Sequence, residues 1–308
     1  MKRDLLSVSD LSREEIEELL KQAEHLKRKE SPPLLSGKVL ALIFEKPSLR
    51  TRVSFEIAMY QLGGHSVYLS PNEVGLGTRE SVADVARVLS RYVDAIAART
   101  FSHQTVCALA AWASVPVINA LSDLEHPCQA LADLLTIKEK KGRLSGLTLA
   151  FIGDGNNVAN SLLLATSLTG MNFRIASPPG YEIKEEILGL SKKIVTPGGS
   201  QITFTTDPYE AVRDADIVYT DVWTSMGQES EREKRCLAFS KYQVDRRLLD
   251  QAKKDVIFMH PLPAHHGEEI FPNLLDDPRS VVFDQAENRL HMQKVLLVKF
   301  IHKNGARI

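Results

Sequence analysis

Cysteine is scarce in this sequence: three thiols, Cys107, Cys128 and Cys236, odd in number and far apart, form no C-x-x-C pair. No disulfide framework follows, and a reducing compartment is expected. Long apolar runs are also missing. Nowhere do the ~18 consecutive apolar residues of a membrane-spanning helix occur, and Met1-Lys-Arg-Asp-Leu-Leu6 lacks the apolar core of a signal peptide. The expectation is a soluble, cytoplasmic protein without a membrane partner. Nor does one sign of charge dominate, because 38 basic and 39 acidic side chains leave a formal net charge of −1. Such a chain has no global field for nucleic acid, so any anion must be recognised locally.

What is present points to an α/β protein. With 308 residues, 44% of them hydrophobic, the chain exceeds one usual core and can fill two of roughly 150 residues each. Its organising stretch begins with Val39-Leu-Ala-Leu-Ile-Phe44, an apolar run bounded by polar residues that reads as a buried parallel strand stopped by Pro47. Ser48 can cap the helix that follows. Ser48, Arg50, Thr51 and Arg52 then crowd a first turn rich in unpaired N–H groups, where dipole and guanidinium forks favour a phosphate. A solvated face formed with Glu45 and Glu56 is the competing reading. The Gly-rich Walker loop is absent.

Ser12-Arg-Glu-Glu15 is a capping box for an amphipathic helix to about Lys29. Short strands at Ser66–Leu69, Asp94–Ala98 and Val115–Asn119 alternate with helical stretches near 80–91 and 103–112, which predicts a parallel sheet. Ligands of such sheets collect beyond the C-terminal strand ends, where Ser48–Arg52, Arg99 and His126 fall. Pro127 suits the first turn of a helix over about 130–140, so His126 and Gln129 share its entrance. There an imidazole either packs structurally or donates to a carbonyl that gains charge in acyl transfer. The charged, glycine-ended run Lys138–Gly146 predicts a domain boundary.

A second α/β set follows. Leu147–Ile152 and Gly153-Asp-Gly-Asn-Asn-Val158 nearly match the dinucleotide fingerprint G-x-G-x-x-G/A, which makes a nicotinamide-dependent dehydrogenase the main rival. The acid expected about 20 residues further on is missing from Phe173-Arg-Ile-Ala-Ser-Pro-Pro-Gly180. The turn therefore reads as a small-ligand site using the Asn157 amide. Asp221, at the tip of the strand Ala215–Thr220, faces that site as a partner for a cationic group. Gln228–Arg235 reads as a solvated helix, and Val256–Met259 as the last strand. In His260-Pro-Leu-Pro-Ala-His-His-Gly-Glu-Glu269 the spacing fits no H-E-x-x-H or Cys/His zinc site, so no metal is expected and Pro261 and Leu262 present carbonyls to an amine. A final helix from Gln285 to about Lys303 carries Arg289.

Four separated strings, Phe44-x-Lys-x-Ser-x-Arg-Thr-Arg52, His126-Pro-x-Gln129, Asp221-x-x-x-Ser-Met-Gly227 and His260-Pro-Leu-Pro263, resemble in order the signatures of the aspartate/ornithine carbamoyltransferase family. The resemblance implies two doubly wound parallel-sheet domains, 1–141 with 285–308 and 142–284, with the active site in the cleft between them. It implies transfer of a carbamoyl group from carbamoyl phosphate to the side-chain amine of L-ornithine, giving L-citrulline and phosphate in arginine biosynthesis. Ser48, Leu49, Arg50, Thr51, Arg99, His126, Pro127, Cys128, Gln129, Pro261, Leu262 and Arg289 would serve carbamoyl phosphate. Arg50, Thr51, Arg99, His126 and Pro261 would act in catalysis, and Asn157, Asp221, Ser225 and Met226 would hold ornithine. No cofactor is implied. Homotrimers, or multiples of them, are the family's assembly.

Three positions depart from the pattern. Leu49 replaces a threonine, and some members carry glutamine where Gly75 aligns. Pro261 replaces the cysteine of ornithine enzymes, giving the aspartate-type His-Pro-Leu-Pro. Asp221 would repel a dicarboxylate and Asp-x-x-x-Ser-Met-Gly is the ornithine-side string, while N-acetylornithine, N-succinylornithine, putrescine and aspartate stay open as acceptors.

Overall fold

The computed structural model describes residues 2–28, 32–195, 199–225 and 227–302. Their contacts gather into two compact units, Met1–Leu135 with Glu287–Ile308, and Thr136–Ala286. In the first, α1 (Arg13–Arg28) opens with the capping box seen in the sequence: Ser12 Oγ accepts from Glu15 N at 3.2 Å and Glu15 Oε2 from Ser12 N at 3.1 Å. There follow β1 (Val39–Phe44), α2 (Leu49–Gln61), β2 (His65–Leu69), α3 (Pro71–Val74), α4 (Val82–Leu89), β3 (Ala95–Arg99), α5 (His103–Trp112), β4 (Val117–Leu121) and α6 (Pro127–Lys141). All four strands are parallel, in the order β2-β1-β3-β4. β1 is buried from Leu40 to Phe44, as a central strand covered on both faces must be. Ala41, Ile43, Ile96 and Ala98 pack with Val106, Leu109 and Ala110 of α5. β4 begins two residues later than the Val115 start read from the sequence. Pro116 has no N–H to give a ladder, and only its carbonyl takes part, accepting from Ile96 N at 2.9 Å.

The second unit runs β5 (Thr148–Ile152), α7 (Asn157–Thr169), β6 (Asn172–Ala176), α8 (Glu185–Ile194), β7 (Ile202–Thr205), α9 (Pro208–Val212), β8 (Ile217–Thr220), α10 (Arg232–Phe239), α11 (Arg246–Leu249), β9 (Ile257–Met259) and α12 (Val282–Ile301), whose later part belongs to the first unit. Its sheet is again wholly parallel, in the order β7-β6-β5-β8-β9. β7 has no counterpart in the sequence reading, because Ile-Thr-Phe-Thr alternates as an edge strand does and offers no continuous apolar run. Trp223 stacks on Phe239 with ring centroids 5.9 Å apart, and both join Val218, Phe258 and Leu248 in the core.

By its contacts the chain divides inside α6, between Leu135 and Thr136, a few residues before the boundary expected from the sequence. That helix is uninterrupted, and its last residues pair within the second unit, Lys140 with Asp284 at 2.8 Å and Lys141 with Asp255 at 2.9 Å. The solvated reading of 228–235 fails at Arg235, which is buried. Its Nη1 donates to Asp154 Oδ2 at 2.8 Å and to the Trp223 carbonyl at 3.0 Å, and its Nε donates to Glu231 Oε2 at 3.0 Å. A buried guanidinium keeps its charge only when paired in this way.

Strand order fixes where ligands can sit. In the first sheet the chain steps from β1 out to β2, then returns to the other side as β3. In the second it moves outward from β5 to β6 and β7, then returns as β8. The reversals leave crevices beyond the ends of β1 and β3 and of β5 and β8, the switch points at which open parallel sheets bind ligands.

Candidate active site

At the first switch point the register pairs Phe44 with Arg99, so β1 and β3 end level, and Glu45 N donates to the Arg99 carbonyl at 2.8 Å. Beyond β1, Ser48 caps α2 in extended conformation and its Oγ accepts from Thr51 N at 3.3 Å. The same hydroxyl lies 3.0 Å from Thr51 Oγ1, which accepts from Arg289 Nη2 at 2.6 Å. A chain of hydrogen bonds thus ties the N-terminus of α2 to α12.

The two arginines of the loop part company. Arg52 lies on the solvated face, paired with Glu56 at 2.9 Å and stacked over Tyr68 at 3.9 Å. Arg50 makes no hydrogen bond or ion pair with any described residue, and partial burial alone lowers its pKa. Leu49 is 75% exposed, so at this helix start it can offer a ligand only its backbone N–H.

Arg99 is buried where β3 ends. Desolvation, then repulsion from Arg289 and Arg50, brings its pKa down to about 10, which leaves it charged at neutral pH. His126, at the start of α6, is buried as well. Burial first, and then the charges of Arg289 and Arg99, hold its pKa well below the usual imidazole value, so the ring is neutral. Cys128 donates Sγ–H to the Asn119 carbonyl at 3.5 Å, and burial pushes its thiol up to about 12, which makes it inert packing. Gln129 Nε2 donates to Asp133 Oδ1 at 2.8 Å. Its buried Oε1 receives no hydrogen bond among the described residues and is an acceptor awaiting a donor. Ser48, Arg50, Thr51, Arg99, His126 and Arg289 are thus linked by hydrogen bonds and mutual charge repulsion at one end of the first sheet, with three guanidinium groups among them.

At the second switch point the sequence reading took Asn157 and passed over its neighbour. Asn156 is the cap of α7: its Oδ1 accepts from Val158 N at 2.9 Å and Ala159 N at 3.1 Å. Its Nδ2 donates to Asp221 Oδ2 at 2.8 Å, and Asp221 Oδ1 also accepts from Val222 N at 2.8 Å. The preference of helix starts for asparagine was the available signal. Asn157 is the first residue of α7. Burial raises the Asp221 carboxyl above the ordinary range, against the pull of His260, Val222 N and Asn156. Ser225 N donates to Gln228 Oε1 at 3.1 Å, and Met226 lies outside the described residues.

Pro261 and Leu262 belong to the second unit, on the loop after β9. Leu262 adopts φ +55, and its N–H donates to His260 Nδ1 at 2.9 Å. The ring proton of His260 must then sit on Nε2, from which it reaches Glu269 Oε1 at 3.1 Å. His260 N donates to Gln285 Oε1 at 2.9 Å, and Gln285 Nε2 to Tyr219 Oη at 3.0 Å. These buried partners hold the loop, and no local pattern announced them.

Family models match along nearly the whole chain. The carbamoyl-P binding domain of aspartate/ornithine carbamoyltransferase covers residues 3–139, and its Asp/Orn binding domain covers residues 145–300. Together with two parallel sheets, each with polar groups at its switch point, these matches define a transferase of carbamoyl groups. The chain belongs to the aspartate/ornithine carbamoyltransferase family. An ornithine carbamoyltransferase of Anoxybacillus flavithermus is 55% identical over 303 residues, covering 97% of this chain and 96% of its own. A catabolic ornithine carbamoyltransferase of Thermoplasma volcanium is 51% identical over 302 residues, 97% of this chain and 99% of that one. The solved ornithine carbamoyltransferase of Pyrococcus furiosus superposes with a TM-score of 0.95 at 50% identity, covering 98% of both chains. Among the described residues no helix is long and apolar enough to cross a membrane.

Proposed function

We propose that the chain transfers the carbamoyl group of carbamoyl phosphate to the side-chain amine of L-ornithine, releasing L-citrulline and phosphate. The observation that carries the reading is the convergence of Arg50, Arg99 and Arg289 on the Ser48-capped start of α2, a wall suited to a phosphate dianion. Gln129 Oε1 is placed to accept from the carbamoyl NH2. Thr51, Arg99 and the neutral ring of His126 donate to the carbonyl oxygen as charge builds there. The neutral amine attacks the carbamoyl carbon, the bond to the bridging phosphate oxygen breaks, and the amine proton leaves with phosphate. Asp221 takes the α-ammonium group, with Asn157, Ser225 and Met226 around the amino-acid end, while the carbonyls of Pro261 and Leu262 face the reacting amine. An acyl phosphate is a stronger carbamoyl donor than a ureido group, so the favoured direction is citrulline, as arginine biosynthesis in a cytoplasm requires.

Citrulline formation from ornithine and carbamoyl phosphate tests this reading, with aspartate, putrescine and N-acetylornithine run beside it. Ornithine should be the preferred acceptor; equal or greater turnover with any other would reject the assignment.

The assembly we propose is a homotrimer. Leu49, Val53, Ile57 and Tyr60 recur at helical spacing along α2 and are 75%, 45%, 39% and 77% exposed, an apolar stripe that a second copy would cover. Light scattering should give three times the 34.3 kDa chain. Val53→Glu combined with Ile57→Glu should reduce it to a single chain, and an unchanged mass would remove this stripe from the interface.

A further inference from the structure

The loop after β9 holds a cluster that the transfer reaction does not use. His265, Glu268 and Glu269 turn toward one another, and one potential ligand atom from each lies within 4.8 Å of the others. Glu269 is wholly buried. Its Oε1 is occupied, accepting from His260 Nε2 at 3.1 Å and from His265 N at 2.5 Å. Its Oε2 is out of contact with solvent and receives no hydrogen bond among the described residues. A buried carboxylate oxygen without a donor asks for an explanation, and a bound cation is one of the few available. His265 Nδ1 lies 3.6 Å from Glu269 Oε2. That is too long for a hydrogen bond. It matches two ligands of one ion, since bonds of ~2.0–2.2 Å at near-tetrahedral angles put donor atoms roughly 3.3–3.6 Å apart.

We propose that His265 Nδ1, Glu269 Oε2 and the Glu268 carboxylate form a binding site for a divalent transition metal, with zinc the ion that this nitrogen and oxygen donor set suits. Glu268 is at present paired with Arg232, a largely exposed side chain, and such surface pairs are weak enough for a divalent ion to displace. The His265 side chain is 45% exposed, which leaves a route for the ion and for water to complete its shell. The turn itself is fixed, with Gly267 N donating to the Ile270 carbonyl at 2.8 Å and Glu268 N to the His265 carbonyl at 3.0 Å. Cys236 also neighbours Glu268, but burial and that carboxylate raise its thiol pKa and keep it a poor ligand. Chain spacing hides the site because H-x-x-E-E matches no familiar zinc motif, and it is the turn that gathers the three donors.

The test reads binding and needs no turnover, so it stands apart from the proposed reaction. The full-length chain, stripped with chelator, is dialysed against zinc alone, and its unfolding midpoint is followed with and without zinc. One zinc ion per chain and a zinc-dependent rise in midpoint are expected. His265→Ala and Glu268→Gln, both at positions that reach the surface, should each weaken zinc binding roughly tenfold or more and abolish the rise. Circular dichroism checks that both variants fold. Absence of saturable uptake, or uptake equal to wild type in both variants, overturns the proposal. Zinc lost in a Cys107→Ser control and kept in His265→Ala overturns it equally, since Cys107 is the exposed thiol.

Discussion

Arg99→Ala should lower kcat by roughly 10²- to 10³-fold, the loss that follows removal of one preorganised donor from a developing oxyanion. The fold should survive. Arg99 is desolvated and repelled by Arg50 and Arg289, so its buried charge costs stability that a bound anion would help to offset. Ligand binding should show in the stability of the same variant. Carbamoyl phosphate should raise the unfolding midpoint of the parent chain and raise that of Arg99→Ala far less, because a ligand stabilises in proportion to its affinity. Calorimetry with and without ligand, beside steady-state rates, measures both. Near-normal turnover, or an undiminished ligand-induced shift, would remove Arg99 from the site.

Asp221→Asn should act on the other substrate. Losing one partner of a buried charged pair costs about 2–4 kcal/mol, so kcat/KM for ornithine should fall roughly 30- to 900-fold while affinity for carbamoyl phosphate is kept. The pH dependence has a definite sign. Burial raises the Asp221 pKa, so ornithine affinity in the parent chain should decline as pH falls, starting above the ordinary carboxylate range. Stability moves the other way at this one group. The folded chain holds that proton more readily than the unfolded chain, so the ionised carboxylate costs stability at neutral pH, and the cost fades toward acid. Titrating KM for ornithine against pH, in parent and variant, checks the assignment; equal losses for both substrates would count against it.

How much was visible in the sequence depends on the range of the interaction. Much of what is built from neighbours along the chain could be read: the strand Val39–Phe44, the Ser48 cap, the Ser12–Glu15 capping box and the helix behind Pro127 all stand where periodicity and cap chemistry put them. Arg52 shows the limit of that method. It shares the helix start with Arg50, and only the presence of Glu56 one turn on and Tyr68 on the next strand sends it to the surface. Partners far apart in the chain left no trace. Arg235 and Asp154 are separated by 81 residues, so the charged run 228–235 gave no warning that one of its members is buried. The same holds for Glu269, whose tie to His260 depends on the fold of an irregular loop. Asn156 was a different failure, since a rule of helix starts pointed to it and the fingerprint reading drew attention to the next residue.

Asn156 joins two obligations in a single amide, its oxygen turned to the start of α7 and its nitrogen to Asp221. Aspartate would serve the helix equally well and set a second negative charge against the first; serine would begin the helix and leave the carboxylate short of a donor. A side chain bound at both ends in this way has no spare orientation. The position therefore cannot drift among the residues that ordinarily start helices without disturbing a carboxylate 65 positions away.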